Sequence, residues 1–249
     1  ADGAIVSDPG AVYAAKRAAP GLSLHLSTQA NTTNKYAVKF WSDEGISRVI
    51  LARELSVKEI SEIKAFVPQT EIEVFVHGAM CISYSGRCLL SDYLDGRPSN
   101  RGACVQACRR SYGLVAHSPD GAETLLPAEE DARGTYILNS KDLNLLAHLS
   151  ELERAGVDSF KIEGRMKSEY YLATVVNAYR RAMDGVSFGE LASELDDVAH
   201  RDYTEAYAFG KNSETVQYKN SQTKGNCVYI ADVSGSEGGF VFVEMRNRF

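Results

Sequence analysis

Up to about residue 185 the chain alternates short apolar runs with stretches whose apolar residues recur every three or four positions. That rhythm predicts β-strands joined by crossover helices, an α/β architecture built on parallel strands. Gly3-Ala-Ile-Val-Ser7 predicts the first strand and Gly10 to Ala19 its helix, with Pro9 at the start and Pro20 as the stop. Leu22-Ser-Leu-His-Leu-Ser27 predicts the second strand, followed by a helix over about Asn34 to Glu44 that ends at Gly45. The third unit sets Arg48-Val-Ile-Leu-Ala52 before Ser56-Val-Lys-Glu59, a capping box, with Ile60, Ile63 and Val67 as the buried stripe. Glu71 to His77 is the fourth strand. The fifth is Thr135 to Asn139, after which Ser140 is read as the cap of a helix striped by Leu143, Leu146, Leu149 and Leu152. Ser159 to Glu163 is the sixth, and Ser168 caps a helix carrying Leu172, Val175, Val176, Tyr179 and Met183 as far as Gly185.

Beyond residue 185 the pattern changes. Glu190 to His200 predicts a short acidic helix, and Thr215 to Tyr218, Asn226 to Ala231 and Gly239 to Glu244 predict antiparallel strands. Two regions are expected: residues 1–185, an incomplete (β/α) barrel of the TIM type carrying a cysteine loop over 77–115, and residues 186–249, a helical linker and the start of a small β-rich domain. A closed barrel of this type has eight strands. Six are counted, so at about 30 residues per unit a further ~60 residues are expected ahead of Ala1, in a longer protein. An open doubly wound sheet is the alternative, but no Gly-x-Gly-x-x-Gly follows a strand, and polar residues gather after nearly every strand, as on a barrel rim.

Composition narrows the function classes. With 249 residues, 44% hydrophobic and 24% charged, the chain has the usage of a globular domain, which excludes collagen-like, disordered and coiled-coil readings. Its apolar runs fall well short of the roughly 18 to 20 residues that span a bilayer, and Ala1 to Asp8 has no secretion-signal pattern, so a reducing, cytoplasmic setting is expected. A net charge of −6 argues against coating nucleic acid with bulk positive charge. The charge is segregated, however. Arg87, Arg97, Arg101, Arg109 and Arg110 face only Asp92 and Asp95 in one stretch, which leaves room for a local anion site.

Cys81, Cys88, Cys104 and Cys108 fall within 28 residues, while Cys227 stands apart and is expected to be a packed thiol. Two disulfides would suit a secreted mini-domain, which this is not. Four thiolates from one loop can bind zinc or an iron–sulfur cluster. The paired Cys-x-x-Cys knuckles of a zinc ribbon are missing and the loop begins on the rim, so a redox cluster is favoured over zinc. The other rim residues are Ser7, Asp8, Ser27, Thr28, Gln29, Asn31, Arg53, Glu54, His77, Asn139, Ser140, Asp142, Lys161, Glu163, Arg165 and Lys167. Strand alternation puts Lys161 and Glu163 on one face, paired to each other or to a ligand. Cys81 with His77 as its base would be the nucleophilic pair of a cysteine peptidase.

Glu73-Val-Phe-Val-His-Gly-Ala-Met-Cys81 and Tyr84-Ser-Gly-Arg-Cys-Leu-Leu-Ser91 resemble the signature of the collagenase-like peptidase family. Gly102-Ala-Cys-Val-Gln-Ala-Cys-Arg109, Tyr136 to Leu143, Phe160-Lys-Ile-Glu-Gly-Arg165, Ser27 to Thr32 and Val49 to Ser56 are similar to its bacterial tRNA hydroxylation subgroup. The resemblance implies a barrel-type catalytic domain with Cys81, Cys88, Cys104 and Cys108 holding a [4Fe–4S] cluster. It further implies oxygen-independent hydroxylation of the tRNA wobble uridine to 5-hydroxyuridine, with a small carboxylate such as prephenate as hydroxyl donor. Lys161, Glu163 and His77 are the candidates for catalysis; Gln29, Asn31, Arg53, Glu54, Asn139 and Arg165 are the candidates for binding substrate or donor. Proteolysis, as the family name states, and a non-catalytic RNA-binding or assembly role are the alternatives.

Overall fold

A computed structural model describes residues 1–81, 83–110, 115–117, 121, 123–125, 130–131, 134–135, 140–210 and 231–246. The opening βα units fold as their patterns require. β1 (Gly3–Val6), α1 (Pro9–Ala18), β2 (Ser23–Leu26), α2 (Lys35–Asp43), β3 (Arg48–Ile50), α3 (Val57–Phe66) and β4 (Glu71–Ala79) follow in order. The side chains of Asp8 and Asn34 cap α1 and α2, and both bonds of the Ser56–Glu59 capping box form at α3, so each helix starts on a satisfied backbone amide. The cysteine segment contains one short helix, α4 (Leu90–Asp95). Two small hairpins follow, β5 (Val115–His117) with β6 (Glu123–Leu125), and β7 (Glu130–Asp131) with β8 (Gly134–Thr135). Then come β9 (Asp142–Asn144), α5 (Leu149–Arg154), β10 (Ser159–Ile162), α6 (Glu169–Met183), α7 (Phe188–Asp196), β11 (Tyr203–Thr204), and a last antiparallel hairpin of β12 (Ala231–Glu237) and β13 (Phe240–Met245).

One sheet organises the site. Its order is β1-β2-β3-β4-β9-β11, with β10 also paired to β4. β1 through β4 and β10 run parallel, and eight of the nine residues of β4 are buried. Leu26, Val38, Val49, Ile72, Val76 and Val175 are completely buried between this sheet and its helices, forming the core. The register of β10 on β4 slips between Lys161 and Ile162, a bulge that re-aims the end of β4. Among the described residues no pairing joins β1 to another strand besides β2, so the α/β class holds while the described sheet stays open.

Four expectations about the elements need correction. Ser140 caps no helix; it is buried and its Oγ donates to Met80 O at 2.6 Å. Leu143, read as helical, lies on β9, which runs antiparallel to β4 rather than parallel. A stripe of leucines three apart fits a helix, but the end of β4 beyond β3 has open backbone groups that β9 satisfies, so pairing overrides the periodicity. β12 covers residues expected to form a turn, and α7 starts and stops earlier than Glu190 to His200. Of the fifth predicted strand, residues 136–139 lie outside the described residues, as do Thr215 to Tyr218 and Cys227.

Candidate functional site

The carboxyl ends of the parallel strands and the loop after β4 surround a cavity of about 490 Å³, at the edge where α/β folds place their ligands. Cys81, Cys88, Cys104 and Cys108 all line it, and all four are free thiols. They share it with Gln29, Arg53, Lys161, Glu163 and Arg165, five of the residues expected from the sequence, and with Arg101 and Arg109 of the cysteine loop itself. Asn31, Glu54 and His77 do not line it, and Asn139 is outside the described residues.

Much of this polar set holds the cysteine loop in place. Gln29 Nε2 donates to Ser99 O at 2.5 Å, and Ser99 Oγ donates to Cys88 O at 2.6 Å. Asn31, in the left-handed region at φ 54°, donates from Nδ2 to Ser85 O at 2.8 Å. The Glu54 carboxylate accepts from Ser85 N at 2.9 Å and Ser85 Oγ at 3.2 Å. Arg165 Nη1 donates to Gly102 O. A loop with little ladder pairing of its own needs such partners for its backbone groups. Asn31 and Glu54, expected to bind substrate, are therefore positioning residues, while Gln29 and Arg165 both position the loop and face the cavity. Gly86 shows how closely the parts fit: at φ +75°, a Cβ there would lie 2.0 Å from Gln29 O. Gly86→Ala is expected to cost at least ~1–3 kcal/mol through backbone strain, read as a lower unfolding midpoint; an unchanged midpoint would show that the loop yields freely.

Lys161 and Glu163 are not paired to each other. Lys161 Nζ binds Glu73 Oε1 at 2.8 Å, and Glu73 also accepts from Arg48 at 3.2 Å and Ser159 at 3.0 Å. Burial pushes the Glu73 carboxyl up, but Lys161, Ser159 and Arg48 outweigh it and the group ends below the usual range. Glu163 Oε1 accepts from Arg165 N at 3.0 Å. The Arg53 guanidinium carbon lies over the Phe75 ring, 3.7 Å from its centroid, with Nη1 3.9 Å from Cys81 Sγ.

His77 is a further correction. Its side chain is enclosed by the rings of Tyr171, Tyr179 and Tyr203, and Nδ1 lies 3.3 Å from Tyr179 Oη, which itself donates to Val76 O at 2.8 Å. With that hydroxyl proton committed, Nδ1 carries the proton and donates. Burial pulls the pKa to about 3, so His77 stays neutral. Strand alternation across the bulge turns it into the core rather than to the cavity.

Behind the cysteine loop, two of the rim residues, Asp142 and Lys167, join Arg201 in one ionic group. Asp142, fully buried, accepts from Arg201 Nη1 at 3.1 Å, Arg201 N at 3.2 Å and Lys167 Nζ at 3.4 Å. Arg201 Nη1 also donates to Ser140 O at 3.0 Å, and Ser140 and Arg109 both donate to Met80 O, tying the group to the base of the cysteine loop. Burial, followed by repulsion from Arg109, pulls the Arg201 guanidinium down to about 10 despite Asp142. Burial would raise the Asp142 carboxyl, but Arg201, Lys167 and Arg109 hold it below the usual value. One carboxylate thus faces three cations. Burial raises both the Cys81 and the Cys108 thiol; Arg53 and Arg109 pull Cys81 back and Arg109 pulls Cys108 back, while neighbouring cysteines add to the rise. Thiolate charge in the cavity would balance this surplus of positive charge.

The sequence pattern described as Peptidase family U32 matches residues 1–218. The chain belongs to peptidase family U32. This U32 chain is 42% identical to tRNA hydroxylation protein P of Escherichia coli K12, over 83% of its own length and 55% of the relative's. It is 46% identical to tRNA hydroxylation protein P1 of Bacillus subtilis 168, over 84% and 50%. It is also 40% identical to the 23S rRNA 5-hydroxycytidine C2501 synthase of E. coli K12, over 67% and 24%. The U32 chain therefore spans about half the length of the two tRNA hydroxylation relatives. No solved structure matches it. Among its described residues no helix is long and apolar enough to cross a membrane.

Proposed function

We propose that this U32 chain carries the cavity of a cytoplasmic RNA-modifying hydroxylase that holds a [4Fe–4S] cluster on Cys81, Cys88, Cys104 and Cys108. Its substrate is the wobble uridine of tRNA, converted to 5-hydroxyuridine without molecular oxygen, with a small carboxylate such as prephenate as hydroxyl donor. The observation that carries the reading is the set of four free thiols around one cavity, backed by three cations, Arg201, Lys167 and Arg109, facing the single carboxylate of Asp142. A thiol set without imidazole is the donor chemistry of iron–sulfur centres, and a cluster held by four thiolates is anionic, which suits that surplus. When bound, the cluster supplies electron-transfer chemistry. The chain's own residues supply the rest: Arg101 and Arg165 face the cavity as cations for phosphate or carboxylate oxygens, and Lys161 and Glu163 line its wall. The names of the tRNA- and rRNA-hydroxylating relatives support an RNA base as substrate.

The peptidase reading loses its base, since His77 is buried and neutral and does not line the cavity that contains Cys81. The decisive experiment is nucleoside analysis of tRNA from cells grown with and without air. Deleting the gene is expected to remove 5-hydroxyuridine and its derivatives in both conditions, and the intact gene to restore them. An unchanged nucleoside profile in the deletion strain would overturn the proposal.

A further inference from the structure

Of the cations around the cavity, three are engaged by oxygen atoms. Lys161 binds Glu73, Arg109 binds Gln106 Oε1 and Met80 O, and Arg165 binds Gly102 O. Arg53 differs, for its described polar contact is a sulfur atom, Cys81 Sγ, 3.9 Å from Nη1. Its place is fixed from both ends. The backbone leading to it is tied down by Leu51 N donating to Glu73 O at 2.9 Å and Ala52 N donating to Thr32 O at 3.1 Å. The guanidinium carbon sits over the buried Phe75 ring, 3.7 Å from its centroid, where the ring face attracts the cation while Nη1 reaches the Cys81 sulfur.

We propose that Arg53 is a positioning residue that donates a charged N–H hydrogen bond to the Cys81 sulfur and so raises the reduction potential of the cluster. The inference rests on the cluster reading above. One-electron reduction places added negative charge partly on the ligand sulfurs. A cationic donor fixed at one of them stabilises the reduced form more than the oxidised form, and hydrogen bonds to sulfur and local charge are the levers that set such potentials. No proton needs to move: the electron comes from an external reductant and the guanidinium stays charged throughout.

The test uses the 249-residue chain reconstituted anaerobically with iron and sulfide, then titrated with dithionite in the presence of redox mediators. Arg53→Gln is expected to keep its iron, to shift to a more negative midpoint potential, and to lose the exchangeable-proton coupling seen by pulsed EPR of the reduced wild type in water against deuterium oxide. Arg53→Lys keeps the charge without the guanidinium's fixed N–H geometry; its potential is expected between the two, and it supplies the readout should the glutamine variant not hold iron. Arg101→Gln removes a cation from the same cavity without touching a sulfur, and is expected to shift the potential less than Arg53→Gln. An iron-loaded wild type whose potential ignores Arg53, or equal shifts for Arg53→Gln and Arg101→Gln, would overturn the role of Arg53 and leave the cluster standing. A wild type that takes up no iron would overturn both.

Discussion

Replacing Cys104 by serine is expected to reduce bound iron from about four per chain, the content of a cluster on four cysteines, to well below that level, and to abolish broad visible absorbance. The hydroxyl nearly matches the thiol in size but is a far poorer ligand for iron. Cys104 Sγ lies 3.3 Å from Gln106 N, which donates to it, so the position is organised around a sulfur acceptor. The loop should survive the change, because Gln29, Asn31, Glu54 and Arg165 hold its backbone at Ser99, Ser85 and Gly102, none of them through Cys104. The iron-free unfolding midpoint is therefore expected to move by no more than ~0.5 kcal/mol, as for substitutions away from the core. Activity, read as 5-hydroxyuridine restored to tRNA of a deletion strain, is expected to fall by more than ~100-fold, beyond what losing one outer-shell contact of a metal site costs. Cys227→Ser is the control and should keep both iron and product. A Cys104→Ser protein with full iron and full product would remove the cluster from the proposal.

The parts of this site that the sequence exposes are those with local grammar. Strand ends, capping boxes and the clustered cysteines follow from neighbouring residues, and the structure brings the four thiols, Gln29, Arg53, Lys161, Glu163 and Arg165 around one cavity as the strand-end rule predicts. What stays hidden depends on distant partners. Nothing near Asn31 or Glu54 in the chain shows that both serve Ser85, more than thirty residues later for each. Lys161 and Glu163 share a face by alternation, but the closer carboxylate for Lys161 is Glu73, on the adjacent strand. His77 follows an apolar strand as a rim residue would, and only the β4 bulge and three converging tyrosines reveal it as a core residue. The leucine spacing after Ser140 carries a helical signal that a free strand edge overrides. Arg201 alone within an acidic stretch is the one local sign of the Asp142 group, since an isolated cation there is the kind of residue that finds a buried carboxylate.

Asp142→Asn is the second large effect expected. The substitution keeps the shape of the side chain and removes the carboxylate that Arg201 and Lys167 share, leaving buried Arg201 and half-buried Lys167 beside Arg109 without it. Breaking a buried pair by removing one partner costs about 3 to 5 kcal/mol, which for a chain of this size is roughly 6 to 20 °C in melting temperature. The same change should loosen the cysteine loop, because Arg201 and Ser140 connect Asp142 to Met80, the residue before Cys81. Iron retention is therefore expected to fall along with stability. Protonation should mimic the mutation. Arg201 and Lys167 hold the folded pKa of Asp142 below the ordinary aspartate value, so its stabilisation is fully present above about pH 4 and is lost as the pH falls through the folded value. Wild type should thus lose this increment under acid, whereas Asp142→Asn, which has none to lose at this site, should show a flatter profile there. Asp142→Leu combined with Arg201→Met removes one of the two cations that Asp142→Asn leaves without a carboxylate, Lys167 alone remaining, and is expected to cost less than Asp142→Asn, since the penalty arises mainly from a stranded charge. Urea titrations of the three proteins at pH 7 and pH 3 decide the matter: a midpoint for Asp142→Asn within ~1 kcal/mol of wild type would mean that the surplus cations are already balanced from the cysteine side of the loop.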